Sequence, residues 1–421
     1  YEMENNEFKD EQMTVDAAEV DGAEENYREE MSGETEVNEE QTEGYEFNFR
    51  VEGFDYDEEL NNIRSAIKKP NILITGASGV GKSSIINHLF GKWVTEVGEG
   101  RPITKGIHMH ASPDLNVVLY DSEGYEVDAG MNLNCCMNEQ YRETVIGFID
   151  EQEYEGDVSR QIHEVWHCVS AANKRLTDMD IEIINEVKSR KIPVAIVLTQ
   201  IDGVDEEELA SLVSCCEEAC GGTEHFVTCC LEDEEVQERL KNYLQWDELL
   251  DWAAINLEDS LKEGFISSLK GALGRKRNVV LEEIIPIYTA LAAGVGAIPI
   301  PFSDAIALIP IQLKMSMHIM NTFGLKSMTG IESRAIESFV ASQVGKLAAK
   351  TLTGGALKLI PIVGSWVGGA INASVAGGFT YAMGRAVCEL GYNYSRDSVF
   401  GDKKIPLSEA FSTSALLGGI A

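Results

Sequence analysis

"NILITGASGVGKSSIINHLF", Asn71–Phe90, decides the fold of this 421-residue chain. Asn71 to Thr75 is an apolar, β-branched run and reads as a buried strand. "GASGVGKS" follows from Gly76 to Ser83 and fits G-x-x-x-x-G-K-S, after which "SIINHLF" continues as a helix. Strand, glycine loop and helix in that order separate a true phosphate-binding loop from a chance match. Gly76, Gly79 and Gly81 let the backbone curl so that its N–H groups face a β-phosphate, and the helix N-terminus adds a favourable dipole. The residues expected to line the phosphates are Gly76, Ala77, Ser78, Gly79, Val80, Gly81, Lys82, Ser83 and Ser84. Lys82 is expected to bridge β- and γ-phosphates, and Ser83 to ligate Mg²⁺.

Moving outward, "NVVLYDSEG" (Asn116–Gly124) is an apolar strand ending in Asp-x-x-Gly. Asp121 is placed to hold Mg²⁺ through water, and the Gly124 amide to meet a γ-phosphate. Between the two motifs "GEGRPITKG" reads as a glycine-bounded polar loop, whose Thr104 completes the Mg²⁺ shell. Two further strands, Ile162–Ser170 and the one ending in "VAIVLTQID" (Val194–Asp202), frame an amphipathic helix around Asp178–Val187. A helix near Glu206–Glu218, a short strand "HFVTCC" and more helix follow. This alternation predicts an α/β fold, a P-loop NTPase domain with a mostly parallel, doubly wound sheet whose ligand lies at the strand C-terminal ends. All the motifs fall at strand ends.

In order and spacing these motifs resemble the translation-factor-related class of P-loop GTPases, in particular the HSR1/Era-like superfamily. The resemblance covers about Asn71 to Val236 and implies a GTPase that uses Mg²⁺ and converts GTP to GDP and phosphate. It also implies a base-reading set: Thr199, Gln200 and Asp202 in the place of Asn/Thr-Lys-x-Asp, and Thr228-Cys229-Cys230 in the place of the last, weak motif. Asp202 then accepts from guanine N1–H and N2–H₂, a donor pair that adenine lacks. The Cys229 backbone N–H meets guanine O6.

Two positions depart from the pattern. Gln200 stands where a lysine packs over the base and braces the glycine loop; its stem and amide can do part of that without the charge. Tyr125 stands where many relatives carry a water-orienting glutamine, so water must be positioned by a partner, a dimer mate or the backbone. Arg101, three residues before Thr104, matches the spacing of the built-in arginine of heterotrimeric G-protein α subunits and could neutralise transition-state charge, though such an arginine is more often a loop cation. The expected catalytic set is therefore Lys82, Thr104, Gly124 and Arg101, with a low intrinsic rate.

The formal net charge is −36, unevenly spread. Residues 1–50 hold 18 Asp/Glu against 3 Lys/Arg, and residues 265–421 hold 14 Lys/Arg against 9 Asp/Glu. So acidic a chain is a poor candidate for sequence-independent nucleic-acid binding. The acidic head reads as a solvated, disordered tail. Six of the nine cysteines form adjacent pairs (Cys135–Cys136, Cys215–Cys216, Cys229–Cys230) and read as free thiols of a reducing cytosol. His108 and His110 point the same way from a strand and read as structural. The sequence begins at Tyr1 rather than at a methionine, which leaves a preceding segment open, and its first residues do not read as a signal peptide.

Trp246–Leu269 has helical periodicity and leads out of the G domain. Beyond the basic Arg275–Arg277, residues 284–303 are uncharged for 20 positions and residues 359–384 for 26. Pro286, Pro299 and Pro301 are expected to break the first run too often for a membrane crossing. The second carries Gly364-x-x-x-Gly368, which suits close helix packing. An amphipathic helix with Lys346 and Lys350 lies between. This third resembles the hydrophobic C-terminal domain of unknown function often fused to such GTPases.

The expected organisation is an acidic tail (1–50), a G domain with a lead-in helix (51–258) and an all-α domain (259–421). The leading function is a GTP-driven switch on a module that meets lipid through residues 265–421, cytoplasmic or at the cytoplasmic face of a membrane. A self-assembling membrane-remodelling or immunity-like GTPase is the alternative, and a homodimer through the G domain is a candidate partner arrangement. A ribosome-assembly factor comes third, disfavoured by the charge of −36 and by the lack of a basic RNA-binding appendage.

Overall fold

The computed structural model describes residues 54–91, 94, 101–104, 106–125, 134–154, 159–296, 303–324, 335–336, 338–340 and 369–399. The lead-in helix α1 (Tyr56–Ala66) starts where Asp55 accepts a hydrogen bond from the Glu58 amide, with acidic residues filling its first turn. Strand β1 (Asn71–Gly76) is buried along its whole length, as its apolar run requires, and feeds the glycine loop into α2 (Lys82–Phe90). Next come β2 (Arg101–Thr104), β3 (Ile107–His110), β4 (Val118–Ser122) and the long helix α3 (Asn134–Tyr154). The α/β rhythm resumes with β5 (Glu164–Ser170), α4 (Asp178–Ser189), β6 (Val194–Thr199), α5 (Glu206–Ala219), β7 (Glu224–Val227) and α6 (Glu234–Leu240). Thr177 and Asp205 open α4 and α5 with reciprocal capping boxes, which fix where each helix begins.

The seven strands form one sheet in the order β2-β3-β4-β1-β5-β6-β7. Pairings from β4 through β7 are parallel, and β2–β3 and β3–β4 are antiparallel. The mixed, mostly parallel sheet agrees with the fold class read from the sequence. Register sets the site: Ile74 lies beside Asp121, and Ser170 beside Thr199, so the motif-bearing strand ends converge on one edge. The polar segment expected as a loop around Thr104 is instead edge strand β2, paired by Arg101 with Met109 and by Thr104 with Ile107. Pro102 sits in that edge strand, a position proline tolerates.

Trp246–Leu269 forms two helices, α7 (Trp246–Asn256) and α8 (Asp259–Ser268), because the chain turns extended at Leu257. Phe265 on α8 is fully buried against Phe90 and Trp166, so α8 completes the core beside the sheet. Beyond it, α9 (Leu273–Val279), a π-helical turn (Val280–Ile284) and α10 (Ile285–Gly296) follow one another without a break. Pro286 was expected to end a helix here. The π turn just before it relaxes the backbone spacing at which the proline ring would strike the preceding carbonyl, and the helix runs on. Helices α11 (Ser303–Thr322) and α12 (Gly369–Tyr394) pack against this run, burying Leu313, Met315, Phe323, Met383 and Val387.

The basic stretch is engaged inside the protein: Arg275 bonds Asp247 and Asp251, Arg277 pairs with Glu389, and Lys276 is buried with its ammonium on the Ser267 carbonyl. The acidic head, Gly364, Gly368, Lys346 and Lys350 lie outside the described residues.

Candidate nucleotide-binding site

The glycine loop leaves β1 through Gly76, where φ is +134° and a β-carbon would lie 2.3 Å from the Cys168 carbonyl oxygen. Only glycine lets β1 run this close to β5 and then turn. The Tyr141 hydroxyl supports the turn, 3.1 Å from the Gly76 amide and 2.8 Å from Ser122. Ser78, Gly79, Ser83 and Ser84 lie on the exposed rim, while Ala77, Val80 and Lys82 are buried beneath it. Gly81 caps α2 without any side-chain partner, leaving the helix N-terminus open to an anion.

Lys82 folds back under the loop, donating to the Gly76 carbonyl at 3.1 Å and the Ala77 carbonyl at 2.8 Å. Burial lowers its pKa, and the Asp121 carboxylate opposes that fall. The Ser83 hydroxyl donates to Asp121 Oδ2 at 2.8 Å, while Oδ1 is buried with no partner. Burial raises the Asp121 carboxyl, with the Ser83 hydrogen bond working against it. A buried carboxylate oxygen without a donor, beside a hydroxyl, is a hard-oxygen pair that suits Mg²⁺. Gly124 (φ +87°) lies directly on the loop: a β-carbon there would come within 2.7 Å of Lys82 Nζ and of the Ser78 amide. The backbone of Arg101 and Thr104 lies in β2, and their side chains fall outside what the structure describes.

At the other end of the loop Thr199 is buried, its hydroxyl 2.6 Å from the Val80 carbonyl. It clamps β6 to the glycine loop. Gln200 adopts a left-handed backbone (φ +54°) and extends its amide both ways. Nε2 donates to the Gly79 carbonyl at 2.9 Å, and Oε1 accepts from the Ser170 hydroxyl at 2.5 Å. Asp202 follows in a short 3₁₀ turn, half-exposed, with the Cys229 thiol 3.6 Å from its Oδ1. Burial raises the Cys229 pKa, which keeps the thiol a donor. Thr228 is buried, its amide and hydroxyl both on the Leu198 carbonyl, and this holds Cys229 next to Asp202.

Gly76 to Ser84, Asp121, Gly124, Thr199, Gln200, Asp202, Thr228 and Cys229 thus line one rim of the sheet. Sequence reasoning missed Ser170, and only the β5–β6 register reveals it as the partner of Gln200. It also missed where Tyr125 points. The ring is buried, 5.3 Å from the Tyr141 ring, and its hydroxyl donates to Asp180 Oδ1 at 2.5 Å.

Residues 25–129, which include the glycine loop and Asp-x-x-Gly, match the family model of the RsgA GTPase. Magnetosome membrane protein 22 of Magnetospirillum gryphiswaldense is 32% identical over 110 residues, covering 26% of this chain and 56% of that protein. GTPase Era of Actinobacillus pleuropneumoniae is 22% identical over 139 residues, covering 32% of this chain and 40% of that protein. The chain thus spans about half the length of the curated relatives it matches. Among solved structures, bacterial selenocysteine-specific elongation factor EF-Sec aligns over 44% of this chain and 29% of its own, at 22% identity and a TM-score of 0.28. Elongation factor SelB of Methanococcus maripaludis with a GTP analogue aligns over 46% and 34%, at 16% identity and a TM-score of 0.29.

The chain has the P-loop GTPase fold, with its glycine loop at the C-terminal ends of the parallel strands. The partial family match and the similarity to GTPase Era agree with that fold.

Proposed function

We propose that the chain is a guanine-nucleotide switch that binds GTP with Mg²⁺, hydrolyses it slowly, and thereby controls a lipid-associating helical region within residues 265–421. The observation that carries the nucleotide half is the amide brace. Gln200 holds Gly79 as a lysine would, and Asp202, two residues on, presents a carboxylate at the base-reading turn. In this reading Asp202 accepts from the guanine N1–H and N2–H₂ edge, and the Cys229 amide meets O6. The loop amides, Lys82 and the Gly124 amide take the phosphates. Ser83, Asp121 and Thr104 would hold Mg²⁺, which when bound neutralises charge on the phosphate oxygens. Slow turnover follows because the residue after Asp-x-x-Gly is turned inward and orients no water. Calorimetric titration of the full chain with GDP and ADP tests the base reading; equal affinities would refute it.

Three observations support the lipid half. Leu273–Val295 is long and apolar enough to cross a bilayer by length and composition, with 28% of its apolar window buried. Ile287 and Leu291 on α10 are 58% and 53% exposed. The similar magnetosome protein is by name a membrane protein. With Arg275 and Arg277 held in internal ion pairs, the attraction rests on apolar contact rather than on basic charge. Flotation of the full chain with neutral and with anionic liposomes is the test. We expect flotation with both, lost on Ile287→Glu/Leu291→Glu; a chain that stays soluble in every nucleotide state refutes this half.

The inward Tyr125 also favours the self-assembling alternative, in which a second copy positions the water. Turnover per molecule that rises with protein concentration would mark it. The similarity to GTPase Era keeps the ribosome-assembly reading open, and co-sedimentation with ribosomal particles would detect it.

A further inference from the structure

Around Gly124 the hydrogen bonds close into a ring that begins and ends at the glycine loop. The Ser78 amide donates to the Tyr125 carbonyl at 2.8 Å. The Tyr125 hydroxyl donates to Asp180 Oδ1, which also lies 2.7 Å from His167 Nε2. The other ring nitrogen, Nδ1, meets the Thr75 hydroxyl at 2.8 Å, and Thr75 is the residue before Gly76. Asp180 Oδ2 takes the Thr177 amide at 2.8 Å and the Thr177 hydroxyl at 2.7 Å. Thr75, Tyr125, His167 and Asp180 are all buried.

The donors and acceptors balance. The Asp180 carboxylate accepts from Tyr125 O–H, His167 Nε2–H and both Thr177 donors, so His167 Nδ1 is left to accept from Thr75 O–H. None of the lone-pair directions of Asp180 is wasted. Burial alone would raise the Asp180 carboxyl, but the hydrogen bonds from His167, Tyr125 and Thr177 hold it below the usual carboxylate range.

Gly124 is caught inside this ring. A side chain there would strike Lys82 Nζ and the Ser78 amide at 2.7 Å, so only glycine lets the peptide lie this close against the loop. The peptide cannot withdraw without breaking either Ser78–Tyr125 or Tyr125–Asp180. We propose that Tyr125 is a positioning residue: anchored on the N-terminus of α4, it fixes the Gly124 amide at the height where a γ-phosphate is received. GTP-over-GDP discrimination is then set by α4 and β5, elements outside the glycine loop and the Asp-x-x-Gly arm. The inference rests on the guanine-nucleotide reading above, because it gives the Gly124 amide a γ-phosphate to meet.

GDP and a non-hydrolysable GTP analogue share base, ribose and two phosphates, so general loosening of the site weakens both alike. Loss of Gly124 positioning weakens only the analogue. We would titrate both into the full chain by calorimetry, with Mg²⁺, in the wild type and in Tyr125→Phe, which keeps the buried ring and removes the hydroxyl. The expected result is about a tenfold fall in affinity for the analogue, the size of one lost charge-assisted hydrogen bond, with GDP affinity changed less than about threefold. Asp180→Asn should shift the same ratio in the same direction, and it supplies the measurement if Tyr125→Phe does not fold. A wild-type chain that binds both nucleotides while the variants keep its ratio, or raise it, overturns the role of Tyr125 alone. A wild-type chain that binds neither overturns the nucleotide reading and this inference with it.

Discussion

Replacing Gln200 with leucine keeps an aliphatic stem and deletes the amide, so it isolates the brace. Two hydrogen bonds go: the 2.9 Å bond to the Gly79 carbonyl and the 2.5 Å bond from Ser170. Each contributes about 0.5–1.5 kcal/mol net. Gln200 is exposed, so water can replace it at Gly79, and that loss belongs at the lower end. Ser170 is buried, so its hydroxyl is left without its acceptor and that loss belongs at the upper end. The sum is about 1.5–2 kcal/mol. Both bonds exist without nucleotide, so most of the loss should appear as stability, about 3–8 °C in Tm for a domain of this size. Affinity should fall only as far as the loop loses its preset shape, by about tenfold at most and equally for GDP and GTP analogues. Differential scanning fluorimetry and calorimetric titration read the two effects. An unchanged Tm together with GDP affinity within twofold of the wild type would show that the amide braces nothing.

Asp202→Asn should weaken GTP binding and improve xanthosine triphosphate binding, because an amide can donate to the C2 carbonyl where a carboxylate cannot; unchanged GTP affinity in calorimetry would mean that another residue reads the base. Gly124→Ala should abolish nucleotide-dependent turnover while GDP binding persists, since its β-carbon would meet Lys82 Nζ and the Ser78 amide at 2.7 Å; phosphate release at the wild-type rate would refute that close approach. Glu164 is buried with Oε1 unpartnered, and burial pushes its carboxyl up to about 8, the Trp166 indole N–H opposing the rise. A folded pKa above the unfolded value contributes stability that is full below about pH 4.5 and is lost as pH rises toward 8, so Glu164→Gln should flatten the decline in Tm between pH 5 and 8. Parallel pH profiles for variant and wild type would sink that assignment.

What the sequence disclosed followed the range of the interaction. Asn71–Ser83 was legible because a strand, a turn and a helix start are written within consecutive residues. The capped helices α4 and α5 were placed nearly to the residue for the same local reason. Strand β2 was not, because a short polar edge strand owes its form to pairing with β3 rather than to any pattern of its own. Pro286 misled because its effect depends on whether the turn before it can widen, and a π turn is invisible to proline counting.

The site divides in the same way. Lys82, Ser83 and Asp121 were named from motifs; in the structure Ser83 bonds Asp121 and Lys82 folds under the glycine loop beside them. The role of Gln200 was only half readable. Its amide was seen as a substitute for a lysine, yet a lysine could not have accepted the hydroxyl proton of Ser170, which lies thirty residues away and is brought alongside by the parallel pairing of β5 with β6. The glutamine therefore does more than imitate the lysine without its charge, because it adds a second anchor in the sheet. Tyr125 extends the point. Read in sequence it is the absence of a glutamine, but in the fold its hydroxyl completes the donor set of a buried carboxylate 55 residues away. The two departures from the motif pattern share one physical consequence. At each, the substituted side chain ties the glycine loop or its neighbouring arm to the body of the domain, Gln200 to β5 through Ser170 and Tyr125 to α4 through Asp180. The loop is thus held in shape by β5 and α4 themselves, so on the proposed reading a shift of either element would change nucleotide affinity.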